Sequence, residues 1–259
     1  MKKMRLLTFN IAHARGVLPV HQGLRSVARI RQVLFRIANL IRRLDVDIVA
    51  LQEIDEHSGW NGRFNHLAFL SEHCGLVHTA IGLTNQRAGQ YPLNYGNAIL
   101  SRWPILHSEA VAFGRRPLGE KGFLFVETEI AHGRRLPLVN LHLHHHSRKQ
   151  RLIQADHVMR FVSESRGRRA HLWAAPPIFC GDFNNPAHQP DATAMLLGFC
   201  EQHNNYTLLP KVGRTFPSAL PARALDYALL PQECVVNHAE VVRAFLSDHR
   251  PVLVEFSLV

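Results

Sequence analysis

Long apolar runs are missing from this chain: no stretch approaches the roughly 20 residues that a bilayer-spanning helix needs. The opening segment, MKKMRLLTFNIAHARG, has basic residues but only a four-residue apolar run before Asn10, too short for the core of a signal peptide. Cysteine is scarce. Cys74, Cys180, Cys200 and Cys234 are widely spaced, with no CxxC pair and no histidine at zinc-finger spacing, which argues against a disulfide framework or a structural zinc site. No HExxH motif, low-complexity tract, linker or short-period repeat is present. These absences lead to the expectation of a soluble cytoplasmic protein with reduced thiols, no integral membrane segment and no particular protein partner. Acidic residues are also few, 20 against 30 Lys and Arg, for a formal charge of +10. That balance favours anionic partners such as nucleic acid, phosphorylated metabolites or an anionic membrane surface, and says nothing about fold.

What is present is enough for a full core. With 259 residues, 46% hydrophobic and 19% charged, the chain reads as one large α/β domain over residues 1–259. Short apolar or alternating runs recur from end to end: RLLTFNIA, DIVALQEI, HTAIGLT, NAILSR, GFLFVETEI, RLPLVNLHLH, PPIFCGDFN, ALDYALL, AEVVRA and PVLVEFSL. Their length and β-branched content predict strands. Between the first two, Val27, Ile30, Val33, Leu34, Ile37, Leu40, Ile41 and Leu44 recur at helical spacing, with Arg25, Arg29, Arg36 and Arg43 on another face. That basic stripe reads as the solvated side of a packed helix. Two further helices are expected at 63–73 and 147–164, the latter capped by Ser147, followed by a basic surface loop, SRGRRAHLWAAPP. Many strands with few helices between them predict two packed, mixed but mostly antiparallel sheets with helices outside, a four-layer α/β sandwich.

Several predicted strands end in polar residues that packing alone does not call for. Asn10 closes the first and Glu53 the second; His142 lies in VNLHLHHH, Asp182 and Asn184 follow IFC, Asp226 sits in ALDYALL, and Asp248 with His249 precedes RPVLVEF. Burying an unpaired carboxylate is costly, so such groups need partners, and a shared cleft would supply them. Carboxylate and amide oxygens suit a hard cation such as Mg²⁺, which keeps several waters and shares phosphate oxygens with a substrate. A histidine beside a carboxylate is held in one tautomer and can take a proton near neutral pH. Together these groups spell hydrolysis of a phosphate ester.

With LLTFNIA, LQEID, YGNAILSRWPI, NLHLH, GDFN, LDYAL and SDHRPV in this order, the sequence resembles the endonuclease/exonuclease/phosphatase superfamily. Those metal-dependent phosphoesterases include deoxyribonuclease I, abasic-site endonucleases, neutral sphingomyelinases and inositol polyphosphate 5-phosphatases. YGNAILSRWPI, RTFPS and LDYAL look most like small bacterial members of unassigned substrate. The resemblance implies Glu53 as the principal Mg²⁺ ligand, with Mn²⁺ as a substitute ion, and Asn10 and Asp248 beside it. It implies His249 as the catalytic histidine, Asp226 as the acid that orients it, and Asp182 with Asn184 as the pair that positions water and phosphate. His142 would contact a phosphoryl oxygen or act as an acid, while Asn185 turns the chain.

Each residue also has a plainer reading. Alone, Asn10 is a turn former and Glu53 a capping acid; Asn97 of YGNAIL is as readily a strand-start cap as a substrate contact, and Tyr95 is equally open. Arg148, with Arg15, Arg87 and Arg102, can clamp phosphate by its guanidinium fork or simply keep the surface soluble. Strand alternation would put His142 and His144 on one side and His145 on the other. Imidazoles at alternate positions can share zinc or nickel, but the surrounding acids are hard-metal ligands. No groove-penetrating nuclease loop stands out, although Trp60, Phe64 and Tyr91 are candidates for stacking on a base or touching a lipid chain. The expected activity is Mg²⁺-dependent hydrolysis of a phosphodiester by in-line attack of water, with His249 and Asp182 both open as the base. The expected partner is a phosphate ester, with nucleic acid and a phospholipid head group as candidates. The alternatives are a sphingomyelinase-like or inositol-phosphate phosphoesterase and, from another class, a non-catalytic phosphate-binding module of the same fold.

Overall fold

The computed structural model describes residues 3–115, 119–131 and 133–259. In chain order the elements are β1 (Lys3–Asn10), α1 (Val27–Arg43), β2 (Ile48–Asp55), α2 (His66–Cys74), β3 (His78–Arg87), β4 (Leu93–Ser101), β5 (Ile105–Ala112) and β6 (Gly122–Ala131). They continue with β7 (Arg134–His142), α3 (Arg148–Arg169), β8 (Ile178–Asp182), α4 (Ala192–His203), β9 (Tyr206–Leu209), β10 (Asp226–Pro231), β11 (Cys234–Val241) and β12 (Val252–Leu258). One six-stranded sheet runs β11-β12-β1-β2-β4-β3 and the other β5-β6-β7-β8-β10-β9. Each sheet has one parallel pair, β1 with β2 and β7 with β8, and antiparallel neighbours elsewhere. This is the expected four-layer α/β sandwich.

Burial on both faces explains why the strands read as nearly continuous apolar runs. Along β1, Leu6 packs between the sheets with Ile48, Ile99 and Val254, whereas Leu7 and Phe9 face outward onto Ile30, Leu34 and Ile37 of α1. The predicted helical stripe is thus the buried one, each fully buried aliphatic side chain contributing about 1.5–3 kcal/mol. On the far side, Phe123, Phe125, Val139 and Phe179 pack under Val158 and Phe161 of α3 and Leu196 of α4. Ser147 caps α3 as expected, its Oγ accepting from Gln150 N at 3.3 Å.

Several elements differ from the sequence expectation. The second helix starts later, at His66, because the Asn65 side chain accepts from Ala68 N and caps it there. The expected basic loop after residue 164 instead begins as helix, with α3 running on to Arg169. Glu127 on the neighbouring sheet accounts for that extension: it accepts from Arg169 Nε and from Trp173 Nε1 at 2.6 and 2.8 Å. The edge strands β5 and β9 and the helix α4 carry no long alternation or charge stripe, and they were not anticipated.

Glu127 makes a stability prediction. Its side chain is fully buried, held by Arg135 at 2.9 Å and Arg169 at 2.6 Å, whose own side chains are 23% and 25% exposed. Burial pushes its carboxyl up, but the hydrogen bonds from Arg169, Trp173 and Arg135 prevail and bring it down to about 2. A depressed acid stabilises fully above its unfolded value near 4.5 and loses that contribution as pH falls toward about 2. Glu127→Gln should cost about 2–3 kcal/mol at neutral pH, below the fully buried case because water screens both guanidinium groups. Thermal melts between pH 7 and pH 2 check this (roughly the carboxylate range), and the gap between wild type and variant should close toward the acid end.

A buried polar cluster ties the sheets together below one edge. Gln52 Nε2 donates to Asn140 Oδ1 at 2.7 Å, and Asn140 Nδ2 donates to the carbonyls of Leu51 and Ala98 at 2.9 Å. Asn97 Nδ2 donates to the carbonyls of Gly122 and Asn140 at 3.1 Å. These bonds fix the strand ends of one sheet against those of the other.

Candidate active site

The parallel pairs deliver side chains to that common edge. β1 and β2 end together, Asn10 in register with Gln52, and β7 and β8 end together, His142 in register with Asp182. β10 begins where they stop, Asp226 opposite Asp182. Gly181 makes the β7–β8 pairing possible: at φ +138° its backbone lies so close to β7 that a Cβ would sit 1.9 Å from the Leu141 carbonyl oxygen. The glycine of GDFN is therefore a requirement for close strand approach just before Asp182.

The strand ends wall a cleft of about 330 Å³. Asn10, Glu53, His142, Asp182, Asn184, Asp248 and His249 line it, and Asp226 stands behind His249. His249 Nδ1 is 2.9 Å from Asp226 Oδ2, and its Nε2 is 3.7 Å from Asp182 Oδ2. Asp182 Oδ2 also accepts from Asn10 Nδ2 at 2.9 Å and lies 3.4 Å from His142 Nε2. Backbone amide Asn184 N, in the left-handed conformation at φ 56°, donates to Asp182 Oδ1 at 3.0 Å. Asn184 Nδ2 meanwhile donates to the Leu143 carbonyl at 2.9 Å, and Asn185 lies buried at the turn.

Arg15 pairs with Asp248, and Ser247 Oγ, donating to the Asn10 carbonyl at 2.7 Å, locks the SDH segment to the end of β1. Glu53 sits on a bulge of β2 at φ 55°, where the register with β4 shifts between Gln52 and Ile54. The bulge re-aims its carboxylate into the cleft.

Two expected substrate contacts lie elsewhere. Asn97 is committed to the sheet-joining cluster and does not line the main cleft. Arg148 donates through Nε and a terminal nitrogen to the Pro190 carbonyl, holding the start of α3 against the segment before α4. Arg102 pairs with Asp45 and Asp47 and Arg87 bonds the Tyr91 carbonyl, both outside the cleft lining. The histidine run also departs from alternation, because β7 stops at His142. His145 and His146 line the cleft, and His144 Nδ1 accepts from the backbone of His146 and Ser147. Of the stacking candidates, Trp60 donates to Asp55, Phe64 packs beneath Arg31, and Tyr91 stays exposed.

Lys121, Arg223 and Phe216 complete the cleft and were not singled out from the sequence. Lys121 Nζ lies 3.2 Å from Glu53 Oε1 and 3.4 Å from His142 Nδ1. Phe216 meets the His249 ring at 4.9 Å between centroids, and Arg223 lies over the Phe216 ring at 5.0 Å. His13 and Asp55, behind Glu53, were missed too; Asp55 belongs to the LQEID block and gave the one available signal.

Electrostatics separates two sub-sites. Burial raises the Glu53 carboxyl, but Lys121, His13 and His142 outweigh it and hold it well below its ordinary value. His142 is pushed well below 6.5 by burial and then by Lys121, so it is neutral. Burial lowers His249, but Asp226 and Asp182 prevail and raise it, while burial and Asp226 raise Asp182 against the pull of His249. The Asp226–His249–Asp182 line therefore holds a proton between buried acids. Ligand-type atoms of these three residues lie within 4.8 Å of one another. With its Nδ1 held by Asp226 and its hold on a proton strengthened by both acids, the imidazole is set up for proton transfer. The ionised Glu53, with the oxygens of Asn10 and Asp248 along the same cleft, is the hard-donor set that fits a divalent cation.

Two six-stranded sheets flanked by helices, with an acid–histidine–acid line at their shared edge, define the deoxyribonuclease I-like α/β sandwich class. The chain belongs to the endonuclease/exonuclease/phosphatase family, whose sequence model matches residues 7–249. Members of this family are phosphoester hydrolases and generally depend on a divalent metal.

Among solved structures, the endonuclease/exonuclease/phosphatase from Beutenbergia cavernae DSM 12333 is similar at TM-score 0.75 and 22% identity, over 100% of this chain and 72% of that one. The mannosyl-6-phosphatase of Bacteroides thetaiotaomicron VPI-5482 is similar at TM-score 0.74 and 17% identity, over 98% of this chain and 100% of that one. Sphingomyelinase C from Streptomyces griseocarneus follows at TM-score 0.63 and 19% identity, over 99% and 100%. At these identities the likeness is one of fold. No curated protein matches the chain in sequence.

Proposed function

We propose that the chain is a Mg²⁺-dependent phosphodiesterase that hydrolyses its substrate by in-line attack of water. The observation that carries this reading is the buried line Asp226–His249–Asp182 facing Glu53 across one cleft. Glu53, Asn10 and Asp248 would hold the cation, which when bound supplies Lewis-acid stabilisation of charge on the phosphoryl and leaving oxygens. The remaining work falls to the chain's own side chains. Asp182, fixed through Oδ1 by Asn184 N and through Oδ2 by Asn10, positions the attacking water. The water's proton passes to the Asp182–His249 pair, and Asp226 stabilises the imidazolium. His142, neutral and with Nε2 toward the cleft acids, contacts a phosphoryl oxygen, as does the Asn184 side chain once it leaves the Leu143 carbonyl. Arg15, Lys121 and Arg223, which line the cleft, can meet the phosphoryl oxygens of an anionic diester.

With a formal charge of +10, a nucleic acid is the favoured diester. Plasmid DNA, abasic duplex, RNA, sphingomyelin, phosphatidyl lipids, inositol phosphates and sugar phosphates should be compared side by side, with Mg²⁺ and with EDTA. We expect Mg²⁺-dependent cleavage of a nucleic acid, falling steeply as salt rises. Cleavage confined to a lipid or a small phosphate ester would overturn the nuclease reading and keep the hydrolase. Binding without turnover on every substrate would make the chain a phosphate-binding module. No helix among the described residues is long and apolar enough to cross a membrane.

A further inference from the structure

Behind Glu53 lies a second histidine–acid pair that the proposed chemistry does not use. His13 sits in a short turn, Ala12–Ala14, whose three residues have φ values of 47°, 55° and 56°. Left-handed backbone is sterically disfavoured for an L-residue with a Cβ, so three in succession need strong restraint. Asn10 Oδ1 supplies it by accepting from Ala12 N at 3.0 Å, and Ile11 N donates to the Gln52 carbonyl at 3.1 Å. The result is an imidazole turned inward, 7% exposed, with its edges against Trp60 and Tyr95 at centroid distances of 5.2 and 4.9 Å.

The ring is oriented as well as buried. Its Nδ1 is 2.8 Å from Oδ2 of Asp55, a fully buried acid whose Oδ1 accepts from Trp60 Nε1 at 2.7 Å. Its other nitrogen, Nε2, lies 3.6 Å from Glu53 Oε2. The Glu53 carboxylate is therefore restrained on one oxygen from behind, while Oε1 faces Lys121 at 3.2 Å and His142 at 4.0 Å on the cleft side. An imidazole that merely filled space would have no need of a buried carboxylate fixing its tautomer, nor of alignment with a second acid. Partners of this kind behind a ligand set its orientation, and removing one weakens a metal typically 10–100-fold, roughly.

We propose that His13 is a positioning residue: Asp55 fixes its imidazole, and the imidazole restrains Glu53 Oε2 so that Oε1 stays turned into the cleft to receive a divalent cation. This rests on Glu53 being the metal ligand, as proposed above. The test is direct Mn²⁺ binding by isothermal titration calorimetry, which does not depend on turnover. His13→Asn suits the purpose, because asparagine tolerates the left-handed turn and is too short to span both acids. Its Mn²⁺ dissociation constant should rise about 10–100-fold in the folded variant, whether or not its EDTA melting temperature falls. Asp55→Asn should weaken Mn²⁺ binding in the same direction and decides the matter if the first variant does not fold. A folded variant that binds Mn²⁺ within about twofold of wild type would overturn the positioning role, since a ring acting only by packing leaves metal affinity alone. Glu53→Gln is the control. If wild type fails to bind, or Glu53→Gln binds as wild type does, the metal reading falls and this inference with it. Binding lost in Glu53→Gln but intact in His13→Asn removes the positioning role alone.

Discussion

Replacing His249 with alanine will lower kcat for Mg²⁺-dependent phosphodiester hydrolysis by about 10²–10⁴-fold, with a much smaller change in KM. The asymmetry follows from where the ring stands. Its Nδ1 is taken by Asp226 at 2.9 Å, and its Nε2 faces Asp182 Oδ2 at 3.7 Å, so in the proposed mechanism it acts on the attacking water's proton and not on the bound ground state. Losing the imidazole also leaves Asp226 and Asp182, both buried, facing each other with no cation between them. One of the two must then take up a proton or the fold is weakened. Circular dichroism and a melting curve run beside the kinetics separate lost chemistry from lost structure. His249→Gln, close in size and able to hydrogen-bond Asp226, should stay folded and be nearly as inactive. A folded His249→Gln that turned over substrate at close to the wild-type rate would remove the histidine from the proton transfer and leave Asp182 alone as the base.

The two-sheet architecture was legible because both faces of the central strands are buried. Leu6 and Leu7 point to different cores, yet both must be apolar, so β1 reads as a run whichever way it pairs. The acids and amides at strand ends were legible for the converse reason: Asn10, Asp182 and Asp226 are buried polar groups that no packing argument explains. What stayed hidden depends on neighbours distant in sequence. Asn97 read equally as a strand-start cap or a cleft residue, and only the juxtaposition of the two sheets shows its amide spent on the carbonyls of Gly122 and Asn140. Lys121 carries no local signal, since its importance comes from a Glu53 that lies 68 residues away in the chain. His13 was masked in another way. An alanine-flanked histidine does not advertise three left-handed residues, because sterics disfavour that backbone and the restraint comes from Asn10 and Gln52. The histidine run misled because alternation was carried past the end of β7, where the chain turns to cap α3.

Exchanging Glu53 for glutamine will abolish the metal response at little cost to the fold. Glutamine has nearly the same shape and meets the same φ of 55° at the bulge, so the backbone strain of β2 is unchanged. What changes is charge. The wild-type carboxylate is ionised against the opposing effect of burial because Lys121, His13 and His142 surround it. The positive field of Lys121 and His13 favours an anion at this position, and the neutral amide loses both that interaction and the hard donor that the proposed Mg²⁺ site requires. In wild type, Mg²⁺ at about 100 times its dissociation constant should add about 2.7 kcal/mol of stability, visible as a raised melting temperature that EDTA reverses. In Glu53→Gln the melting temperature should be the same with Mg²⁺ as with EDTA. Turnover should fall by about 10³-fold or more, the several kcal/mol that a Lewis acid contributes to the transition state. Raising Mg²⁺ tenfold, roughly a 1.4 kcal/mol shift, should not restore it. The two measurements constrain each other. A variant that lost activity but kept the Mg²⁺-dependent melting shift would place the cation on the cleft's other oxygens, those of Asn10, Asp248 and Asp182, and would turn Glu53 into a group that acts on substrate.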